Sequence, residues 1–175
     1  MKTELKNTAT NIGLYLLATL SLWSICVYAT DNLEIIVNYW VSLLITPLTI
    51  IGFGVASCLS SKKALGGYIS FKQAFTAYFI TIIIGLIGSA VVSYLIFNVI
   101  DPDAGKEIFE IVIEKTIQTM ERFGAPQEVI AEQVTALQEQ MNYKMKNLLL
   151  QNLQGVILFS IIGLIVAAVT KKNKQ

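Results

Sequence analysis

Four long stretches without a charged side chain divide this chain: Asn7 to Thr30, Ile35 to Ser61, Gln73 to Ile100 and Asn147 to Thr170. Each exceeds the ~20 residues that carry an α-helix across a hydrocarbon core of ~30 Å. The pattern predicts an all-α polytopic membrane protein with four transmembrane helices, over about 9–29, 36–59, 74–99 and 148–170. Residues 1–175 read as a single membrane domain.

Between the third and fourth spans the pattern changes. Phe109, Val112 or Ile113, Ile117 and Met120 recur at helical spacing, and Ile130, Val134, Leu137, Met141 and Met145 do so again further on. Glutamates and glutamines occupy the opposite faces, so both legs read as amphipathic helices. Gly124-Ala125-Pro126 separates them, with a Gly just past one helix and a Pro opening the next. Legs of about 18 and 22 residues joined by so short a turn are expected to fold back antiparallel, reaching roughly 27–33 Å. Residues 101–147 are thus predicted to form a helical hairpin inserted between two spans. Nothing breaks the second leg before Leu148, so it can run directly into the fourth span.

Composition agrees with a bilayer environment: 54% of residues are hydrophobic and 14% charged, against roughly 25% charged in a soluble domain. The first span raises a signal-peptide alternative, with Lys2 and Lys6 before it and Val27-Tyr28-Ala29 near its end. Its apolar stretch, Ile12 to Ala29, is about 18 residues, longer than the roughly 7–15 of a signal-peptide core. An uncleaved helix is the expectation.

Charge then orients the spans. Lys2, Lys6, Lys62, Lys63, Lys72, Lys171, Lys172 and Lys174 would share one side, with Glu4 as its only acid. Short Lys-rich loops stay in the cytoplasm. Both termini are therefore expected inside, and residues 101–147 outside, which in a bacterial inner membrane means the periplasm. Local signals mark the same boundaries: Asp31 and Glu34 as a capping pair for the second helix, and Ser70 with Gln73 as a capping box for the third. Tyr28, Tyr39 and Trp40 are expected at the outer interface, Tyr15 and Tyr68 towards the inner one.

Within the spans no Asp, Glu, Lys or Arg appears, which disfavours a proton relay or an ion-coupled pump. Small residues do appear at spacing four. Thr81, Gly85, Ser89 and Ser93 in the third span, Gly52 and Ala56 in the second, and Gly163 and Ala167 in the fourth are expected to be helix-packing positions. Pro47 is expected to bend the second span. Cys26 and Cys58 fall towards opposite sides of the bilayer and read as buried apolar residues rather than a disulfide. With no histidine in the chain, His-based triads, His-ligated metals and the usual pH switch are excluded.

Asp101, Asp103 and Glu107 loosely suggest oxygen ligands for Ca²⁺ or Mg²⁺, but no bidentate Glu follows in register. Helix-terminus chemistry accounts for every one of them. Pro102 ends the third span, and Asp101 or Asp103 caps the helix that follows. No metal or cofactor is expected.

The order of these parts resembles a family of bacterial membrane proteins known as domain of unknown function 4199. Three spans, an Ile69-Ser70-Phe71-Lys72-Gln73-Ala74-Phe75 entry, a Phe97-to-Asp103 exit reading FNVIDPD, a glutamate-rich hairpin and a last span ending in lysines carry the resemblance over nearly the whole chain. It implies a bacterial inner-membrane location and brings no activity, cofactor or catalytic residue. The leading functional expectation is a non-enzymatic interaction or assembly protein. It would work through the hairpin residues Phe109, Val112, Ile113, Ile117, Met120, Ile130, Val134, Leu137 and Met141. Its partners would be the lipid bilayer together with a second copy or another membrane or periplasmic protein, and no nucleic acid. The alternative is an oligomeric permeation component for ions or small molecules, with Asn38, Asn98 and Pro47 near its path. An enzyme ranks third, because no reaction can be assigned to these residues.

Overall fold

The fold was obtained as a computed structural model that describes residues 2–30, 35, 38, 41–140 and 145–172. Helix α1 runs Lys2–Ala29. A π-helical segment, Val41–Ile45, leads into α2, Thr46–Ala64. Helix α3, Phe71–Tyr94, passes into a second π-helical segment, Leu95–Ile100, followed by α4 (Pro102–Arg122), α5 (Gln127–Gln140) and α6 (Met145–Thr170). No β-strand occurs among the described residues; one isolated bridge joins Ile69 to Lys172.

Four stretches are long and apolar enough to span a membrane: Thr3–Ala29, Leu43–Ala64, Phe71–Ile100 and Asn152–Thr170. Only 22% to 39% of each spanning window is buried inside the protein. Leu22, Trp23, Leu48, Ile157 and Ile165 point outward with many others. In water such a surface would be far too apolar for a stable monomer. Against hydrocarbon it is the ordinary lipid-facing side of a membrane bundle.

Helix α3 packs against α1, α2 and α6 and so forms the centre of the bundle. Residue pairings set the directions. Leu16 and Leu17 of α1 lie against Gly85 and Gly88 of α3, while Ala9 lies nearer Thr81, so α1 and α3 run parallel. Gly54 meets Tyr78 and Cys58 meets Ala74, so α2 runs antiparallel to α3. Gly155 faces Leu86 and Gly163 faces Tyr78, so α6 is antiparallel to it too. The start of α1, the α2–α3 turn and the end of α6 therefore share one end of the bundle, and the lysines gather there.

Tyr78 is the keystone of the core. Its ring is fully buried between α2 and α6, with Gly54 on one side and Gly163 on the other. Glycine is required at both positions because a Cβ at Gly54 would lie 2.2 Å from the ring, and one at Gly163 2.5 Å. Beside this ring, buried hydroxyls lace three helices together. Thr81 Oγ1 lies 3.0 Å from the Ala9 carbonyl and 2.7 Å from Ser57 Oγ, which in turn lies 3.1 Å from the Ala77 carbonyl. Two hydroxyls carry two protons for three contacts, so the network is shared rather than fully saturated.

Each small-residue stripe has a definite outcome. Thr81 and Gly85 face α1, and Gly163 and Ala167 are turned into the bundle, where Ala167 is fully buried. Ser89 Oγ donates back to the Leu86 carbonyl of its own helix, and Ser93 is half-buried. Gly52 and Ala56 correct the expectation: both are exposed, and nothing lies within 4 Å of a Cβ built at Gly52. The face of α2 turned to α3 carries Gly54, Ser57, Cys58 and Ser61 instead. Pro47 stands where the π-helical segment passes into α2, near the end of the Leu43–Ala64 span remote from the lysines, so the backbone bond it removes is lost there and not in the middle of the span.

The lysine-rich end is tightly finished. Ser70 Oγ accepts from the Gln73 N–H at 3.3 Å while the Ser70 N–H donates to Gln73 Oε1 at 2.9 Å, a complete capping box. Gly66 and Gly67, at φ of 79° and 89°, close α2 with N–H bonds to the Lys63 and Lys62 carbonyls. Ile69 and Lys172 exchange backbone bonds of 3.0 and 2.9 Å, and Lys62 Nζ donates to the Thr170 carbonyl at 3.0 Å. The chain following α6 is thus sewn to the α2–α3 turn.

Candidate functional site

At the opposite end of the bundle, α3 does not simply stop. It widens into the π-helical Leu95–Ile100 turn, closed by the Asp101 N–H on the Ile96 carbonyl at 2.8 Å. Asp101 then caps α4: its Oδ1 accepts from the Ala104 N–H at 3.0 Å, and Pro102 takes the first helical position. Between the two carboxylates that sequence left open as the cap, Asp101 holds the role. Asp103 instead accepts from Lys106 at 2.7 Å, an exposed pair that solvent screens heavily.

The second oxygen of Asp101 makes the junction tertiary. Tyr28, at the end of α1, donates its hydroxyl to Asp101 Oδ2 at 3.0 Å, and its ring meets Phe97 edge-on at 6.1 Å. A tyrosine expected to be only an interface anchor therefore ties α1 to the point where α4 departs. Its tyrosine-at-the-interface signal was legible, but the partner 73 positions away was not. Gly105 completes the bend. A Cβ there would lie 2.2 Å from the Phe97 carbonyl oxygen, so α4's first turn rests directly on the backbone of the π-helical segment.

The Ala104 N–H, and after it the Tyr28 hydroxyl, hold the Asp101 carboxyl below its ordinary value of 3.8. A depressed folded-state value means that the stabilisation is complete above the unfolded value and disappears as pH falls through the lowered one. Tyr28→Phe should move the Asp101 titration up, so that the junction opens at a less acidic pH. Hydrogen exchange at the Ala104 amide, followed from pH 5 downward at a fixed temperature, reads this after correction for intrinsic rates. An unchanged acid midpoint would show that the hydroxyl does not stabilise the carboxylate.

Helices α4 and α5 pack on one another beyond this junction. Gly124, at φ 72°, and Ala125 end α4 by donating to the Glu121 and Met120 carbonyls at 2.9 and 3.0 Å. The apolar stripe is incompletely covered. Phe109, Val112, Ile113, Ile117, Met120, Val134 and Leu137 are half-buried, and only Ile130 is fully buried. At the turn between the helices, Phe123 is 83% exposed and Val129 46%. Met141, like Asp31, Glu34, Tyr39 and Trp40, lies outside the described residues.

Other candidate positions are dispersed. Asn98 is half-buried in the π-helical segment and Asn38 is exposed before Val41, whereas Pro47 lies in α2. Cys26 is exposed and Cys58 buried, and both are free thiols. Among the described residues no group of three or more His, Cys, Asp or Glu is placed to hold a metal ion.

A family model described as a protein of unknown function, DUF4199, matches residues 11–172. No curated protein and no solved structure matches the chain.

Proposed function

The chain belongs to the DUF4199 family of proteins of unknown function, and from that premise we propose that it is a non-enzymatic interaction or assembly protein of the bacterial inner membrane. Its four spans anchor it, and α4 with α5 form an external hairpin that engages a second copy or another membrane or periplasmic protein. One observation carries this reading: outside the spans, the amphipathic pair α4–α5 leaves its apolar stripe half-covered and ends in an exposed Phe123. A two-helix unit orders its backbone at ~1–2 kcal/mol per residue and has little buried surface to offset that. A further surface against the stripe supplies the deficit. The permeation alternative has less support, since Pro47 lies near one end of the Leu43–Ala64 span and leaves no broken helix at mid-membrane.

The lysine-rich end fits the cytoplasmic side by charge, which puts the hairpin outside. In a cysteine-free background, a cysteine at position 123 should react with a membrane-impermeant maleimide in intact cells, and one at position 63 only after lysis. The reverse pattern would invert the topology. A photocrosslinker at 123 or 129 should then give a discrete adduct in cells, with twice the mass of the chain if the partner is another copy and a different mass if it is another protein. Absence of any adduct at both positions, with the protein inserted and folded, would remove the interaction reading.

A further inference from the structure

A long groove runs between α3 and α6 on the outside of the bundle. It has a volume of about 460 Å³ and is lined on the α3 side by Phe75, Phe79, Ile83 and Ile87. Its lining is apolar throughout in effect: the one polar side chain in it, Ser160, spends its hydroxyl on the Val156 carbonyl at 2.6 Å. The α6 wall extends from Leu153 to Leu164, and both walls lie within spanning segments. At 1.5 Å per residue the groove is about 16–18 Å long. Half of a ~30 Å hydrocarbon core is ~15 Å, the depth of one leaflet.

No polar group in the lining asks for a polar partner, and a flexible polymethylene chain matches an apolar groove of one leaflet's depth. The stacked rings of Phe75 and Phe79, 5.8 Å apart at an 18° interplanar angle, give the groove a smooth wall near one end.

That end is the lysine-rich one. Lys72 lies one turn before Phe75 on the same face of α3. Lys171 lies seven residues beyond Leu164, on the same face of α6, and its N–H still bonds the Ala167 carbonyl helically at 3.1 Å. Both lysines are exposed, and neither has an ion-pair partner among the described residues. Lys62 and Lys172, by contrast, are engaged by the Thr170 carbonyl and the Tyr68 ring.

We propose that the α3–α6 groove is a binding site for an anionic phospholipid, one acyl chain lying along Phe75 to Ile87 and the headgroup phosphate lying between Lys72 and Lys171. This site is independent of the hairpin. The apolar groove supplies the depth and the two unpaired cations select the headgroup.

The test uses the full chain purified in detergent, with dioleoyl-phosphatidylglycerol and dioleoyl-phosphatidylcholine as competing probes, and bound lipid read by native mass spectrometry. Each basic residue near an anionic headgroup is expected to give roughly fivefold, so with two lysines the wild type should retain phosphatidylglycerol about 25-fold better. Lys72→Gln with Lys171→Gln should bring the two lipids to near equality without loss of the fold. Ile161→Trp, at an outward-facing position of the groove, should reduce retention of both; Ser160→Trp is a second filler if the first is tolerated without effect. Equal retention of the two lipids by the wild type would overturn the headgroup assignment. Undiminished retention in both filler variants would overturn the groove. A disulfide formed between copies from a single cysteine at position 157 would show that a second chain occupies it instead.

Discussion

Gly163→Val will disrupt the four-helix bundle, with a loss of about 1–3 kcal/mol or more as is usual for overpacking a tight core. The Cβ alone would lie 2.5 Å from the Tyr78 ring, and the ring cannot move away because Gly54 stands against its other edge, so closely that a Cβ built there would lie 2.2 Å from it. Neither backbone can retreat easily either, since α3 is also packed on α1 and α2. Thermal unfolding in detergent, followed by size-exclusion fluorescence, should show a lower Tm for Gly163→Val and for Gly54→Val. Adding Tyr78→Leu should recover much of it by removing the ring. Gly52→Val, on the same helix as Gly54 but with open space around it, should leave Tm close to the wild type. Equal damage from Gly52→Val and Gly54→Val would mean that the helix faces are assigned incorrectly. The same geometry makes a gentler statement about the hydroxyl: Tyr78 Oη is buried with no hydrogen-bond partner among the described residues. Tyr78→Phe should therefore be neutral or stabilising, by up to about 1–3 kcal/mol, the penalty of an unsatisfied buried group.

The second large effect is local and functional. Gly105→Val places a Cβ 2.2 Å from the Phe97 carbonyl oxygen, an atom that no rotamer change can move aside. Either the π-helical turn or the first turn of α4 must give, and both are tied to Asp101. The expected result is loss of the Tyr28–Asp101 bond and re-aiming of α4, while the distant Tyr78 core keeps its stability. Amide exchange across 98–110 should quicken roughly 5- to 150-fold, corresponding to about 1–3 kcal/mol of local overpacking. Crosslinking through position 123 should fall in parallel, with Tm of the bundle almost unchanged. If exchange quickens but crosslinking is untouched, the junction does not aim the hairpin, and α4–α5 recognises its partner independently of the bend.

Family membership and fold class were both within reach of the sequence, because the signals involved are local or cumulative. Charge-free length needs no tertiary information, and it announced four membrane-compatible helices. Helix ends behaved likewise: the Ser70–Gln73 box, the Asp101-Pro102 start and the Gly124 stop each involve atoms a few residues apart. What remained hidden was the rotation of every span. A helix that is apolar all round carries no polar face to mark its outside, and lipid is as apolar as a core, so spacing alone treats Gly52 and Gly54 as equals. Only packing chose Gly54, by setting the ring of Tyr78 against it.

Two further features were decided in the same way. Tyr28 found Asp101 because α1 and α3 run parallel and end together, a relation between residues far apart in the chain. The α3–α6 groove exists because the bundle leaves one seam between its helices partly open. The sequence by itself determined how many helices are long and apolar enough to cross a membrane, the capping chemistry at several of their ends, and which end collects the lysines, because turn chemistry and hydropathy act over a few residues. The tertiary structure decided which faces touch, which tyrosine becomes a tie and which seam stays open, because those depend on shape complementarity between surfaces of equal polarity.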